Sequence, residues 1–434
     1  MDREVLLCAA VVISGSVLFT VVSGCGYAVA LAMLYYCIHS AYLEESRRHC
    51  EVMAFVQRSR AVVNFSHFGG SLEPKDRLAL RSNDNKRLVR AFGIHNSLTT
   101  YDPEHHHRFV LDARRLTSNV DWPVLYSSCV TNVREMVAHH RSPLRGSLEG
   151  SDSPLPIPIA QLVQQVCFRG ALDALFGHAT TSKLSDDDVK VVTADINRLW
   201  VESKNPEARP DSTHLRELLE RAGLPTTQVT EETRPATAEE ALSVILPAYE
   251  TLWRVVLLTY VHAYHRSPDH ENITQMTAAV PDCLGTSKTE KRALRLAKEG
   301  LRLYPSTKRI YRATAVPEDD PIGAGRVSAD VERCHRDPDI WGANGLQFRP
   351  ERFGELTPMQ MSAYFPFGLP KHRCPAFNGF GERLVTLLVV ALARALPPPG
   401  KSRLLFGGDG ALDADNKAPL PTGRADMDDW VILV

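Results

Sequence analysis

The chain has 434 residues, with 50 Lys+Arg against 51 Asp+Glu, a formal net charge of −1, and 44 % apolar and 7 % aromatic residues. That balance excludes nucleic acid as the main partner, since phosphate binding needs a basic surplus, and the 23 % charged fraction excludes wholesale disorder. Nine cysteines without a C-x-x-C pair fit neither a secreted disulfide scaffold nor a common structural zinc site, so the composition reads as intracellular and mostly globular.

From Val5 to Leu43, 39 residues pass without an Asp, Glu, Lys or Arg. A bilayer needs ~20 apolar residues, so the run is long enough to span. A cleaved signal peptide would have a shorter apolar core and a basic start, whereas this start is Asp2-Arg3-Glu4. Arg47, Arg48 and His49 follow the run, which keeps the rest of the chain on the cytoplasmic side. The expectation is an N-terminal membrane anchor over residues 1–43, a polar, helix-capable connector over 44–60 and a catalytic domain over 61–434. A buried N-terminal helix of the globular domain is the alternative.

Residues 142–159 carry four prolines and read as a loop or hinge; residues 203–211 and 222–238 are further breaks. Between them, 160–176, 239–264 and 288–304 have apolar residues at helical spacing. Ala376–Leu396 is a helix candidate stopped by Pro397-Pro398-Pro399-Gly400. Strand-like runs are short, at 308–316 and 429–434. The fold class is mainly α with small β-sheets.

The most informative stretch is Tyr364-Phe-Pro-Phe-Gly-Leu-Pro-Lys-His-Arg-Cys-Pro-Ala376. A Pro/Gly-rich loop delivers Cys374 just before the apolar helix candidate. Helix-start N–H groups, with Lys371, His372 and Arg373 nearby, favour thiolate over thiol. A thiolate in an apolar pocket is what an iron centre takes as an axial ligand. His372 could reach a negatively charged cofactor edge, and Phe367 could shield the sulfur. The bland alternative is a buried structural cysteine.

This stretch resembles the haem-binding loop of the cytochrome P-450 family, Phe-x-x-Gly-x-(Arg/His)-x-Cys-x-Gly, through Phe367, His372 and Cys374. Pro370 and Ala376 stand where the pattern has glycines. The family's succession of a helical Glu-x-x-Arg, a Pro-Glu-Arg-Phe element and the cysteine loop is met by Glu299/Arg302, Pro350-Glu-Arg352-Phe353 and Cys374. The resemblance implies that Glu299, Arg302 and Arg352 form a buried structural network, and that Arg312 pairs with a haem propionate. Ordinary surface ion pairs and a surface arginine are the alternatives. His335-Arg-Asp-Pro-Asp-Ile-Trp-Gly342 also resembles a family segment just upstream.

For the family's oxygen-side helix the best match is Pro247-Ala-Tyr-Glu250-Thr251. The resemblance makes Glu250 and Thr251 the proton-delivering pair, which needs a local helix irregularity. Pro247 removes an i→i−4 bond and supplies one; a plain helical Glu-Thr is the alternative. Trp122 is followed four later by Tyr126, so a propionate arginine of the family is missing there, and a side chain of Asp102-Pro-Glu-His-His-His107-Arg108 could substitute. The triple histidine has no partners at metal-ligand spacing, and His262 and His265 read as an interfacial pair. The short interval from Trp122 to Thr251 implies a trimmed substrate roof over 130–235.

The resemblance implies a membrane-anchored, fungal-like haem-thiolate monooxygenase with haem b on Cys374 that oxidises a lipophilic small molecule, as in secondary-metabolite biosynthesis. Electrons would come from NADPH through a separate cytochrome P-450 reductase, since no Gly-x-Gly-x-x-Gly fingerprint is present. The implied place is the endoplasmic reticulum, single-pass, with a cytosolic catalytic domain. Two alternatives stand beside it: a haem-thiolate isomerase or dehydratase without external electrons, and a catalytically inactive membrane scaffold of the same fold.

Overall fold

The computed structural model describes residues 24–67, 72–145, 154–178, 182–225, 235–267, 270–278, 280, 288–313, 326–408, 410–423 and 427–434. It divides into two compact units, Met1–Phe55 and Val56–Val434. In the first, the described residues belong to helix α1 (Gly24–Val63), 40 residues long. Leu31, Met33, Tyr35, Tyr36, Ile38, Tyr42 and Leu43 are exposed on it. The connector expected at 44–60 is therefore part of this same helix. Its Glu44–Arg48 and Arg47–Glu51 pairs, at 2.8 and 3.5 Å, are solvated i,i+4 contacts. The Val5–Ser23 half of the expected anchor lies outside the described residues. Among the described residues, the helical stretch long and apolar enough to cross a membrane is Ala238–Arg266, not an N-terminal segment. With 78 % of its apolar window buried, it is a core element of the second unit.

The second unit is helical with two small sheets. Helices α2 (Pro74–Asp84), α3 (Pro103–Ser118) and α4 (Trp122–Arg145) lead to strand β1 (Pro156–Pro158) and helix α5 (Ile159–Phe176). Apart from half-buried Gln161, Ile159 to Leu175 is buried, its polar Gln164, Gln165, Arg169 and Asp173 included. Helix α6 (Asp186–Glu202) opens with a Ser185/Asp188 capping box, and α7 (Thr213–Ala222) follows. Residues 130–235 thus hold most of α4, then β1 and α5 to α7; 146–153, 179–181 and 226–234 lie outside the described residues.

The run expected as one helix at 239–264 is three pieces. Helix α8 (Ala238–Tyr249) begins at a Thr237/Glu240 capping box, α9 spans Trp253–Tyr260, and Val261–Arg266 continues as a π-helix. Then come α10 (Lys288–Leu303), the antiparallel hairpin β2 (Arg309–Ala313) and β3 (Arg326–Asp330), α11 (Val331–Arg336) and α12 (Phe380–Ala395). Strands β4 (Arg403–Leu405) and β5 (Val431–Leu433) complete a three-stranded antiparallel sheet of order β1–β5–β4. The core packs α12 against α4, α9 and α10, with α5 against α4 and α9.

Two expected boundaries move. Helix α4 runs through Pro143 to Arg145, so the proline-rich 142–159 stretch begins inside a helix. The candidate helix 376–396 starts only at Phe380. Pro375–Phe377 is a 3₁₀ turn, and Gly379 adopts φ 88, a left-handed conformation that resets the chain before the helix.

Three core histidines are held neutral. His262 is stacked between Tyr304 and Phe348 at 5.7 and 5.6 Å, and burial pushes it down to about 3. Burial likewise brings His265 to about 4, its Nε2 3.1 Å from the Tyr260 hydroxyl, and His335 to about 3. Below pH ~6.5 the unfolded chain takes up protons that the fold refuses, so stability falls with pH until these folded values are reached. Three such groups contribute a slope of at most about 4 kcal/mol per pH unit. Urea midpoints between pH 7 and 4.5 should show this loss, and His262→Phe should remove about one third of what these three contribute. An unchanged slope in that variant would contradict a neutral His262.

Candidate active site around Cys374

The support of the site is one carboxylate. Glu299 on α10 is fully buried and accepts from Arg302 Nε at 2.7 Å and Arg302 Nη2 at 2.9 Å. It also accepts from Arg352 Nε at 3.0 Å and from the Arg349 backbone N–H at 2.8 Å. Arg302 donates onward to the His335 carbonyl at 2.8 Å and lies 4.7 Å over Trp341; Arg352 donates to the Asn344 carbonyl at 3.1 Å. The structure therefore brings Glu299, Arg302 and Arg352 into one network.

The cysteine loop hangs from it. Neutral His335 accepts from the Phe365 N–H at 3.1 Å, and the Tyr364 hydroxyl donates to the Lys298 carbonyl at 3.3 Å. Gly368, at φ 74, takes the left-handed turn, and Pro370 opens a 3₁₀ turn over Pro370–His372, where a fixed φ and a missing N–H are tolerated. The Cys374 N–H donates to the Phe367 carbonyl at 2.9 Å, closing the loop. The Phe367 ring packs on Gly381 of α12, where an added Cβ would stand 2.6 Å from it. Cys374 is an exposed residue, yet burial around it pushes its thiol up. The Ala376 N–H and the Arg81 charge counteract that rise.

The cations near the sulfur differ from those expected. Arg373 stacks on Phe377 at 4.0 Å, and the Lys371 N–H is bound to Asn64 Oδ1 at 3.3 Å. The charge felt by Cys374 is that of Arg81, on α2. Arg81 Nη1 lies 3.3 Å from His372 Nδ1, and the His372 ring meets His106 edge-on at 5.8 Å and Phe65 at 5.2 Å. Arg312 on β2 stacks on the same Phe65 at 4.3 Å. Burial lowers Arg81 to about 10, with Arg312 adding to the drop, and burial lowers Arg312 to about 10. Burial and these arginines together drive His372 down to about 2. Four cationic or proton-binding groups thus crowd one rim. Among the described residues, Arg312 Nε, His106 Nδ1 and His372 Nε2 are buried without a hydrogen-bond partner. His106 is the member of the Asp102–Arg108 stretch that reaches this rim. Trp122 does not: it starts α4 and packs on Phe380 at 5.8 Å, with Arg383 5.7 Å over its ring.

Opposite pieces of the expected proton-delivering pair sit at the break between α8 and α9. Glu250 is buried; Thr251 Oγ1 donates to the Pro247 carbonyl at 3.1 Å, and Ser306 Oγ donates to the Thr251 carbonyl at 2.9 Å. The irregularity expected from Pro247 is present as a helix end at Tyr249.

Sequence reasoning missed Arg81, which no periodicity distinguishes. It also missed Asn96, whose only signal is Asn-x-x-Thr in a short turn between helices. Among the described residues no His/Cys/Asp/Glu group could hold a bare metal ion, the triple histidine included. A cleft of about 410 Å³ lies elsewhere, lined in part by Ser128, Asp173 and His178. There His178 Nδ1 faces both Ser128 Oγ, at 3.1 Å, and Asp173 Oδ2, at 3.4 Å. A nucleophile–base–acid chain needs the two ring nitrogens to face different partners, so this cluster is not one.

The chemistry of the donor set fits a haem: an exposed cysteine to ligate iron, and orphaned donors and cations to meet two carboxylates. No family model matches the chain. Among curated proteins it is 29 % identical over 136 residues to cytochrome P450 CYP749A22 of Panax ginseng, covering 29 % of this chain and 25 % of that one. It is 24 % identical over 257 residues to cytochrome P450 714A2 of Arabidopsis thaliana, covering 53 % and 48 %. A bifunctional cytochrome P450/NADPH–P450 reductase of Bacillus cereus is 38 % identical over 85 residues, 18 % of this chain and 8 % of that one. The chain spans a half or less of the length of these relatives. All are cytochromes P450, which supports that family at modest identity.

Glu299→Gln should destabilise the protein by about 3–5 kcal/mol, because it leaves Arg302 buried and uncompensated. Arg352→Lys, which keeps the charge but loses the fork, should cost less. Thermal unfolding of both checks the order, and equal small losses would contradict a network that acts through Glu299.

Proposed function

We propose that this protein is a haem-thiolate monooxygenase of the cytochrome P-450 kind, with Cys374 as the iron's axial ligand. The observation that carries the proposal is the exposed Cys374 beside a cationic rim of orphaned donors. When bound, the haem supplies dioxygen activation and transfer of one oxygen atom to substrate. The chain's own residues do the rest. Arg81, Arg312, His106 and His372 would hold the carboxylate edge. Phe367 fixes the loop by its carbonyl on the Cys374 N–H. Glu250 and Thr251 at the helix break hold protons for delivery, with the Thr251 hydroxyl proton parked on the Pro247 carbonyl.

Electrons come, in this reading, from NADPH through a separate reductase; the similarity to a P450 fused to its own reductase favours electron-driven oxidation over isomerase or dehydratase chemistry. A lipophilic substrate and a single-pass anchor at the endoplasmic reticulum, with a cytosolic catalytic domain, complete it. The charge-free run from Val5 to Leu43 and the exposed apolar side chains of α1 support the anchor. The fungal-like type and a secondary-metabolite role rest on the motif resemblance alone.

The test is the carbon-monoxide difference spectrum of the reduced full chain. A red-shifted Soret band lost in Cys374→Ala is the expected result; no haem band in the parent protein would leave the scaffold reading. Arg81→Gln should keep the thiolate band while releasing haem to a scavenging apoglobin about ten times faster, the scale of one hydrogen bond to a charged group. Unchanged release would remove Arg81 from the rim.

A further inference from the structure

Pro247 has no N–H, so the Ser243 carbonyl one turn earlier loses its helical donor. A buried carbonyl needs a partner. It finds one outside the helix: Asn96 Nδ2 donates to the Ser243 carbonyl at 2.9 Å, and the neighbouring His95 N–H donates to Ser243 Oγ at 3.0 Å. Asn96 is 0 % exposed. Its other amide atom is used as well, since Oδ1 accepts from the Leu98 N–H at 2.9 Å. The Asn96 N–H donates to Thr99 Oγ1 at 2.9 Å, and its carbonyl accepts from the N–H groups of Thr99 and Thr100 at 3.0 Å each. The turn Ile94–Thr100 is therefore a rigid piece, docked on α8 at the point where proline interrupts the helix.

Its other side meets the rim. The Ser97 carbonyl accepts from Arg81 Nη1 at 2.9 Å, and Ser82 Oγ of α2 donates to the Thr99 carbonyl. One residue of the turn thus holds a rim arginine, and the residue before it holds the carbonyl that the proline leaves without a helical donor. We propose that the turn Ile94–Thr100 is a strut, with Asn96 as its positioning residue, through which occupancy of the anionic-ligand rim orders Glu250 and Thr251 at the helix break. This rests on the function proposed above, and it deepens that reading by giving the proton-delivering pair a means of sensing the cofactor.

The full chain in detergent, with and without added haemin, gives the test. In the parent protein haemin should slow amide hydrogen exchange over residues 248–253 by about ten-fold. In Asn96→Ala, and in Asn96→Asp, which keeps an acceptor for Leu98 and replaces the donating amide by a carboxyl group, haemin should bind but leave those amides unprotected. Protection equal to the parent's in both variants would overturn the strut. A stability cycle reads the same bond without haem. In Pro247→Ala the new N–H can serve the Ser243 carbonyl itself, so the shift in urea midpoint from Asn96→Ala should shrink about three-fold or more. An equal shift in both backgrounds would overturn the pairing of Asn96 with proline. With NADPH and a reductase, the share of electrons lost to hydrogen peroxide should rise in Asn96→Asp at unchanged haem content, and an unchanged share would deny a positioning role. If the parent chain takes up no haem, it is the function proposed above that fails, while the cycle still decides the Asn96–Ser243 bond.

Discussion

A buried carboxylate with four N–H donors fixes more of this molecule than any apolar contact does. Glu299 is reached by Arg302 twice, by Arg352 and by the Arg349 backbone, so one side chain clamps α10 to the segment 344–354. A charge in the interior is tolerable only when its partners are geometrically fixed. Arg302 passes the constraint to α11 through the His335 carbonyl, and the positive charge of Arg302 helps keep the His335 ring neutral. Only a neutral ring has a nitrogen free to accept, and that nitrogen receives the Phe365 N–H at the start of the cysteine loop. The position of Cys374 is thus set by a chain of hydrogen bonds that begins at Glu299.

The elements legible in the sequence are those written in strong local signals. Helices at 160–176 and 288–304 have unbroken apolar periodicity, and α5 and α10 fall within a residue of those limits. The strands at 308–316 and 429–434 are bounded by turn residues and appear as β2 and β5. The Glu-x-x-Arg and Cys motifs were readable because their spacing in the chain is itself the signal. What escaped was set by tertiary packing. The expected basic neighbours of the sulfur were chosen by proximity in sequence, but Arg373 is taken by Phe377 and the Lys371 backbone by Asn64. The cation that acts on the sulfur comes from almost three hundred residues upstream, at Arg81. Nothing local marks that arginine among the others of α2.

Trp122 shows the same limit from the other direction. The family's arginine is missing four residues after it, and the indole is spent on Phe380 and Arg383, tying α4 to α12. The side chain of the Asp102–Arg108 stretch that meets His372 is His106, one helix earlier. The Asp102-Pro103 start explains why a single histidine of three is selected. Asp102 caps α3 by accepting from the Glu104 N–H at 2.9 Å, which fixes the helix phase, and His106 then shares the face that meets His372.

Proline inside a helix is usually counted as a loss of one hydrogen bond and some steric strain. Here the loss is transferred rather than absorbed. The carbonyl that Pro247 abandons is satisfied by Asn96, so the break costs the fold no unsatisfied buried group at that point. The exchange also changes what the helix is attached to. An intact turn would bond Ser243 to residue 247 and make the segment independent of its surroundings; the broken one makes it depend on a turn that Arg81 also holds. A helix irregularity is often described as local strain, but in this chain it is a joint, because the missing bond has been re-made to the turn Ile94–Thr100.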